Sequence, residues 1–286
     1  MDRITRAVSG DKRFFAAAAV TGEALKDAAE RFSFSPAVSV LFGRAMTAAA
    51  MLGVTLKSGG ESIALKFEGE NEKMTVVANE KGEVKGTVSE PLWMPKEGES
   101  LGSAFGKGTL TVMRDLGLKE AYSGKIDLKS GEIADDVTEY FQKSEQTPFC
   151  CSLGVLLDTK SESLAVKSAG GFFVSAMPGC EEELLKRLDE NIAVLPPVSS
   201  MLESGMDDVD ILKAALHGFD LEITERATPK YRCDCSRKKV SAMLLSLGKE
   251  DREKIAEDPY TEVVCHWCNA RYRFTSDEVK KLYGMK

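Results

Sequence analysis

The sequence predicts an α+β protein in three parts. These are a sheet-based N-terminal domain over residues 1–178, an acidic helical linker over 179–228, and a small cysteine-rich module over 229–286. Three observations lead there. Strand-like runs outnumber helical ones before Pro178 and lie on both sides of the helical stretches, the pattern of a layered α+β fold. After Pro178-Gly179 the composition shifts: residues 181–226 hold 12 acidic and 4 basic side chains and two helical apolar patterns. Beyond them, four of the seven cysteines gather between Cys233 and Cys268.

The first domain opens with a predicted hairpin over 4–20, turning at Ser9-Gly10-Asp11. Thr21-Gly22-Glu23 starts a short amphipathic helix reaching Phe32. A long helix rich in small residues follows, with Ser35 as N-cap and Pro36 in its first turn. The run 36–56 is the most apolar of the chain, but Arg44 at its middle would be costly in a bilayer. A buried core helix is the expectation. Strands are predicted at 62–67, 74–78 and 83–88, the last two joined across Asn79-Glu80-Lys81-Gly82, then at 109–114 and 122–128. Val137, Tyr140 and Phe141 share one side of a helix over 133–143. Ser144-Glu145-Gln146-Thr147 reads as its C-terminus, leading to Pro148. Three more strands are predicted at 149–157, 163–166 and 171–177. Cys150 and Cys151 face opposite ways within the first of these, and buried thiols are usually inert; Cys180 is read the same way.

In the linker, Leu184, Leu188 and Ile192 form one face of an acidic helix that Pro196-Pro197 stops. Val209, Leu212, Leu216 and Phe219 predict a second helix, with His217 beside the stripe as a packing or capping residue. Helices this short are marginal alone and need a surface to dock on. The module is read as helices over 236–247 and 250–257, a strand at Val263-Val264, a turn at Cys265-His266-Trp267-Cys268 and a returning strand over 271–274. Thr275 to Glu278 forms a capping box for a last helix.

Cys233 and Cys235 form C-x-C, and Cys265 and Cys268 form C-x-x-C, with 29 residues between the pairs. Four thiolates arriving as two local pairs suit tetrahedral Zn²⁺ in a closed structural site. The second pair sits in an ordinary knuckle. The first can share a metal only if the chain bends sharply at Asp234, since residues i and i+2 of an extended strand stand well apart. His266 lies inside the knuckle and is not needed where four cysteines already close the site. Arg232, Arg237, Lys238 and Lys239 flank the first pair and favour thiolates. A module this small has a weak core, so metal supplies folding free energy.

The runs Arg232 to Arg237, Leu244 to Gly248 and Glu262 to Asn269 resemble the zinc module of the 33 kDa chaperonin family, redox-regulated heat-shock holdases of the bacterial cytoplasm. The resemblance extends upstream through Glu139-Tyr140-Phe141, Ser144 to Pro148, Gly170 to Phe173 and Pro178-Gly179. It implies an ATP-independent holdase that binds unfolded client proteins under oxidative stress. One Zn²⁺ per chain would be held by Cys233, Cys235, Cys265 and Cys268 in the reduced, inactive form. Oxidation would close Cys233 with Cys235 and Cys265 with Cys268, release zinc and unfold module and linker. The resemblance also implies a homodimer when active.

The residues add limits of their own. No phosphate-binding glycine loop, G-x-S-x-G elbow or H-E-x-x-H is present, and the only histidines are His217 and His266, so no enzyme is expected. The start, Met1 to Arg6, lacks a signal peptide's apolar core, which points to the reducing cytoplasm, where clustered cysteines bind metal or sense oxidants. Neither a membrane nor nucleic acid is an expected partner. Residues 227–286 carry 13 basic and 9 acidic side chains, a thin surplus for a zinc ribbon that neutralises phosphates. A thiol–disulfide oxidoreductase using Cys265 and Cys268 is the other rival, but it asks for a βαβ context that a C-terminal knuckle does not supply.

Overall fold

The computed structural model describes residues 1–57, 59–118, 121–158 and 165–284. The chain divides into two compact units, Met1–Tyr231 and Arg232–Lys286.

In the first unit, β1 (Arg3–Ser9), β2 (Phe14–Val20), β8 (Phe149–Asp158), β9 (Ala165–Ala176) and β10 (Leu221–Ala227) form a sheet ordered β10-β1-β2-β9-β8, antiparallel throughout. A second sheet is built from β3 (Ser62–Glu68), β4 (Lys73–Asn79), β5 (Glu83–Val88), β6 (Thr109–Asp115), β7 (Tyr122–Asp127) and β11 (Lys230–Tyr231), ordered β11-β5-β4-β3-β6-β7. Only β11, beside β5, runs parallel to its neighbour.

Helix α1 (Gly22–Phe32) precedes α2 (Pro36–Gly53), which packs on strands of both sheets and is apolar nearly all round for that reason. Ser35 accepts from the Val38 amide, as a capping residue should. Although α2 is long and apolar enough to span a bilayer, 83% of it is buried, the signature of a core helix. Arg44 leaves that core to pair with Glu132. Helix α3 (Ile133–Lys143) buries Val137, Tyr140 and Phe141 as its periodicity predicts.

The far face of the five-stranded sheet is covered by α4 (Glu182–Ala193), α5 (Val198–Glu203) and α6 (Asp208–Ala215). Phe14, Ala16, Ala18, Phe172 and Val174 on the strands meet Leu188, Val198, Met201, Ile211, Leu212 and Ala215 on the helices. Strand β2 is therefore buried on both faces, which is why it is written Phe-Phe-Ala-Ala-Ala-Ala-Val rather than alternating. Polar contacts fasten the same segment. The fully buried carboxylate of Asp208 accepts from the Thr5 hydroxyl and pairs with Arg3 at 3.0 Å. Arg13 reaches Glu181 at 2.7 Å and the Gly179 carbonyl at 2.9 Å.

Several expectations are corrected. The strands predicted at 163–166 and 171–177 are one strand, β9; residues 163 and 164 lie outside the described residues. Residues 167–170, left between the two predicted strands, lie inside it. A Cβ at Gly170 would stand 2.4 Å from the Ala19 carbonyl oxygen, so the glycine permits a close strand approach rather than a turn. The segment predicted to be helical also contains α5 and the edge strand β10, whose residues are mostly exposed and carry no apolar pattern to signal a strand. Helix α6 buries Ile211, Leu212 and Ala215 and stops before Leu216; Val209 stays half-buried, and Phe219 lies beyond the helix in the turn that follows.

The second unit holds α7 (Arg237–Leu245), α8 (Lys249–Glu257), the antiparallel pair β12 (Tyr260–Val264) and β13 (Arg271–Thr275), and α9 (Ser276–Tyr283). The capping box of α9 is formed by Thr275 and Glu278. Its buried core is Val240, Leu244, Ala256, Phe274 and Val279.

Candidate metal centre

The knuckle between β12 and β13 is held by its own backbone. The Cys265 amide donates to the Ala270 carbonyl at 2.8 Å, and the Asn269 amide donates to the Cys265 carbonyl at 2.8 Å. Asn269 takes the left-handed conformation, φ 57°, that lets the chain return so tightly. Cys233 and Cys235 lie in the irregular segment between β11 and α7. Immediately after them Ser236 caps α7, its hydroxyl accepting from the Lys239 amide at 3.3 Å. Asp234, between the two cysteines, pairs with Lys239.

These local devices bring all four predicted sulfurs within 4.8 Å of one another. Cys233 Sγ lies 3.8 Å from Cys265 Sγ, and Cys235 Sγ lies 3.3 Å from Cys268 Sγ. A tetrahedron with bonds near 2.3 Å has edges of about 3.8 Å, so the donor set could hold a metal ion and is compatible with zinc. Cys268 is buried; the other three are partly exposed.

The electrostatics point the same way. Burial pushes the Cys233 thiol up, and burial with the neighbouring cysteines pushes Cys268 up strongly. Four thiolates this close repel, so a central dication is what would let all four ionise together. Cys235 differs. Burial raises it, but the hydroxyl of Tyr272 and the three other cysteines outweigh that and hold it below the ordinary thiol range. Tyr272 donates to Cys235 Sγ at 3.1 Å, and this bond is the main reason its own hydroxyl is raised to about 12.

Sequence reasoning passed over Tyr272. Its only signal is the alternation of β13, which puts it on the side of buried Phe274. Two of the four basic residues credited with favouring thiolates are engaged elsewhere. Arg237 donates to the Arg273 carbonyl at 2.7 Å, pairs with Glu278 at 2.8 Å and stacks over Phe274, while Lys239 goes to Asp234. His266 lies edge-on to Trp267, and the sulfur cluster is made of cysteines alone.

The remaining candidates stand apart from it. Cys150 packs into the core beneath α4–α6, and burial raises its thiol to about 12; burial raises Cys151 further. Cys180 is half-buried and raised by burial and then by Glu181. Ser144 ends α3, and Glu145 accepts from the Tyr140 hydroxyl at 3.1 Å and pairs with Arg114 at 3.2 Å.

A family model described as Hsp33 protein matches residues 2–275, which include all four cluster cysteines. The chain belongs to the Hsp33 family. The 33 kDa chaperonin of Agathobacter rectalis is 39% identical over 288 residues, covering 98% of this chain and 99% of that one. That of Clostridium beijerinckii is 37% identical over 289 residues, covering 98% of each. The crystal structure of the 33 kDa chaperonin from Thermotoga maritima superposes with a TM-score of 0.91 at 33% identity, covering 99% of this chain and 98% of its own. As an Hsp33 family member the chain is a chaperone of the 33 kDa chaperonin type, with a four-cysteine cluster able to hold a metal.

Proposed function

We propose that this chain is a redox-regulated, ATP-independent holdase of the reducing cytoplasm, inactive while Cys233, Cys235, Cys265 and Cys268 ligate one Zn²⁺ and active once they are oxidised. The observation that carries the reading is the four-sulfur cluster in a unit whose buried core is only five side chains. Bound zinc would supply positive charge that keeps the four sulfurs deprotonated and ties the unit together.

The cysteines do the sensing. Thiolates are the species oxidants attack. For each pair, one peroxide accepts two electrons and its O–O bond breaks, while an S–S bond forms; two thiols and one peroxide yield a disulfide and two waters. Disulfides within each pair, Cys233 with Cys235 and Cys265 with Cys268, follow the family resemblance. The mutual approach within 4.8 Å leaves every sulfur within a small shift of a partner. Sulfurs tied up this way no longer ligate, and the module loses the free energy that folded it. Thiol reductants reverse the step.

The client surface follows from the first unit. Helices α4–α6 cover an apolar sheet face lined by Phe14, Phe172 and Val174 and contribute Leu188, Val198, Met201, Ile211 and Leu212 to it. Release of this acidic segment would expose both halves of that contact. Contiguous exposed apolar surface is what captures unfolded proteins. The active form is a homodimer in this reading, with neither nucleic acid nor membrane as partner.

The test follows aggregation of a denatured client by light scattering, with zinc release read in parallel. The reduced, zinc-loaded chain should leave aggregation unchecked, and the peroxide-treated chain should suppress it. Equal behaviour of the two forms, or retention of zinc after peroxide, would defeat the switch. Turnover of a dithiol substrate by Cys265 and Cys268 would favour an oxidoreductase instead.

A further inference from the structure

A hydrogen bond to a metal-bound thiolate withdraws charge from the sulfur. It makes the sulfur a poorer nucleophile while fixing its direction, and such outer partners commonly change metal affinity ten- to a hundred-fold. In this cluster Cys233 lies 3.8 Å from Cys265 and Cys235 lies 3.3 Å from Cys268, sulfur to sulfur. Cys235 is served by a side chain, the hydroxyl of Tyr272 at 3.1 Å.

The ring that carries this hydroxyl is well held. Tyr272 is paired with Val263 across β12 and β13 and packs against the core of Val240, Leu244, Ala256, Phe274 and Val279. Cys235, in contrast, belongs to an irregular segment, with neither a helix nor a strand assigned to it or to its neighbours Asp234 and Ser236. The hydroxyl thus reaches from the strand pair that carries the C-x-x-C knuckle to the half of the site that no strand supports.

We propose that Tyr272 is a positioning residue of the metal centre, whose hydroxyl anchors Cys235 against the knuckle and shields its sulfur from electrophiles. The inference rests on the zinc reading above and deepens it. It makes Cys235 the protected member of the C-x-C pair. It also makes zinc retention depend on a single neutral hydroxyl as well as on the four ligands.

Tyr272→Phe keeps the packed ring and removes only the donor. In the full-length reduced chain it should weaken zinc binding about ten-fold in chelator competition. It should also raise the rate at which Cys235 is alkylated by iodoacetamide relative to Cys233, resolved by peptide mass spectrometry. In that reaction the thiolate forms a C–S bond and iodide leaves. A third readout separates the hydrogen bond from packing. With Co²⁺ in place of Zn²⁺, the sulfur-to-metal charge-transfer band should move to lower energy in Tyr272→Phe, because the sulfur regains donor strength. Tyr283→Phe is the control: it removes a hydroxyl that donates to the Leu244 carbonyl at 3.3 Å in the same core and should match wild type in all three.

Unchanged affinity, alkylation ratio and cobalt spectrum in Tyr272→Phe, with zinc still bound by wild type, would overturn the Tyr272 role alone. Equal changes in both variants would reduce it to packing and overturn it as well. A wild-type chain that binds no zinc would remove the reading beneath it and this inference together.

Discussion

The two units of this chain are stabilised in opposite ways. The first buries an eighteen-residue helix between two sheets and closes the far face of one sheet with three more helices. Its interior is rich in large rings, among them Phe14, Phe42, Phe67, Phe105, Tyr140, Phe172 and Phe173. Among its described residues the second unit buries Val240, Leu244, Ala256, Cys268, Phe274 and Val279, only one of them aromatic, and gathers four sulfurs in one place. Burial scales with size, and a unit this small removes a smaller share of its apolar surface from water to set against its chain entropy. The difference teaches where a switch can live. A unit held by packing yields when heat or denaturant overcomes its whole core at once, whereas one held by ligands could be unfastened by chemistry at a few atoms.

The sharpest way to break that comparison is to take metal away. A zinc site in a small domain contributes about 10–16 kcal/mol, comparable to the entire stability of a typical domain. Chelation of the reduced chain should therefore abolish amide protection in α7–α9 and β12–β13 while leaving α2 and β2 protected, as hydrogen exchange would read. Protection that survives in the second unit would mean its packing suffices.

The reverse experiment strikes the packed unit. Phe42 is fully buried and stands 5.0 Å from the ring of Phe34, so Phe42→Ala should cost about 3–5 kcal/mol by lost transfer energy and cavity formation. The denaturant midpoint of the first unit should fall while zinc affinity stays at the wild-type value. A matching loss of zinc affinity would show the units to be energetically coupled.

A smaller effect is expected at the contact between the acidic segment and its sheet. Asp208→Asn keeps the shape but weakens the bonds to Arg3 and Thr5, costing about 1–3 kcal/mol at a buried charged hydrogen bond. Protection of α6 should drop with that of β1 intact, and the reduced chain should gain some client binding. If α6 stays as protected as before, apolar packing alone holds the segment.

The smallest effect concerns acid. Hydrogen bonds and charge from Arg273, then Arg271, hold Glu262 below its ordinary 4.5. A carboxylate depressed by folding stabilises above its unfolded value, and that contribution fades as pH falls through the folded one. The β12–β13 pair should thus loosen only in acid below about 4.5, and Glu262→Gln should flatten that dependence in a pH series of strand-amide protection. Its partners Arg271 and Arg273 are exposed, so the change will be slight.

Much of the candidate site was legible because it is written locally. Cys233, Cys235, Cys265 and Cys268 announce themselves by spacing, and the Thr275–Glu278 box marks the helix that closes the unit. Tyr272 was not legible, since a tyrosine in a strand of alternating residues looks like any core ring until its hydroxyl is seen 3.1 Å from a sulfur. Strand β10 was missed for a related reason: only its end residues Leu221 and Ala227 are partly buried and Ile223 is 42% exposed, so no buried period runs along it.

Taken alone, the sequence determined what depends on near neighbours. Those are the Ser35 cap and Pro36 start of α2, the hairpin turn at Gly10, the β12–β13 knuckle and the identity of the four clustered cysteines. Only the tertiary structure decided what depends on distant ones. It merged two predicted strands into β9, because the residues between them continue the pairing with β8, and Gly170 and Gly171 lie between β2 and β8. It placed α4–α6 on the sheet through Asp208, Arg3 and Thr5, more than 200 residues apart in the chain. The physical reason is the same in each case. Caps, turns and short metal motifs are settled by chemistry within a few residues, whereas burial is settled by whichever remote surface arrives to exclude water.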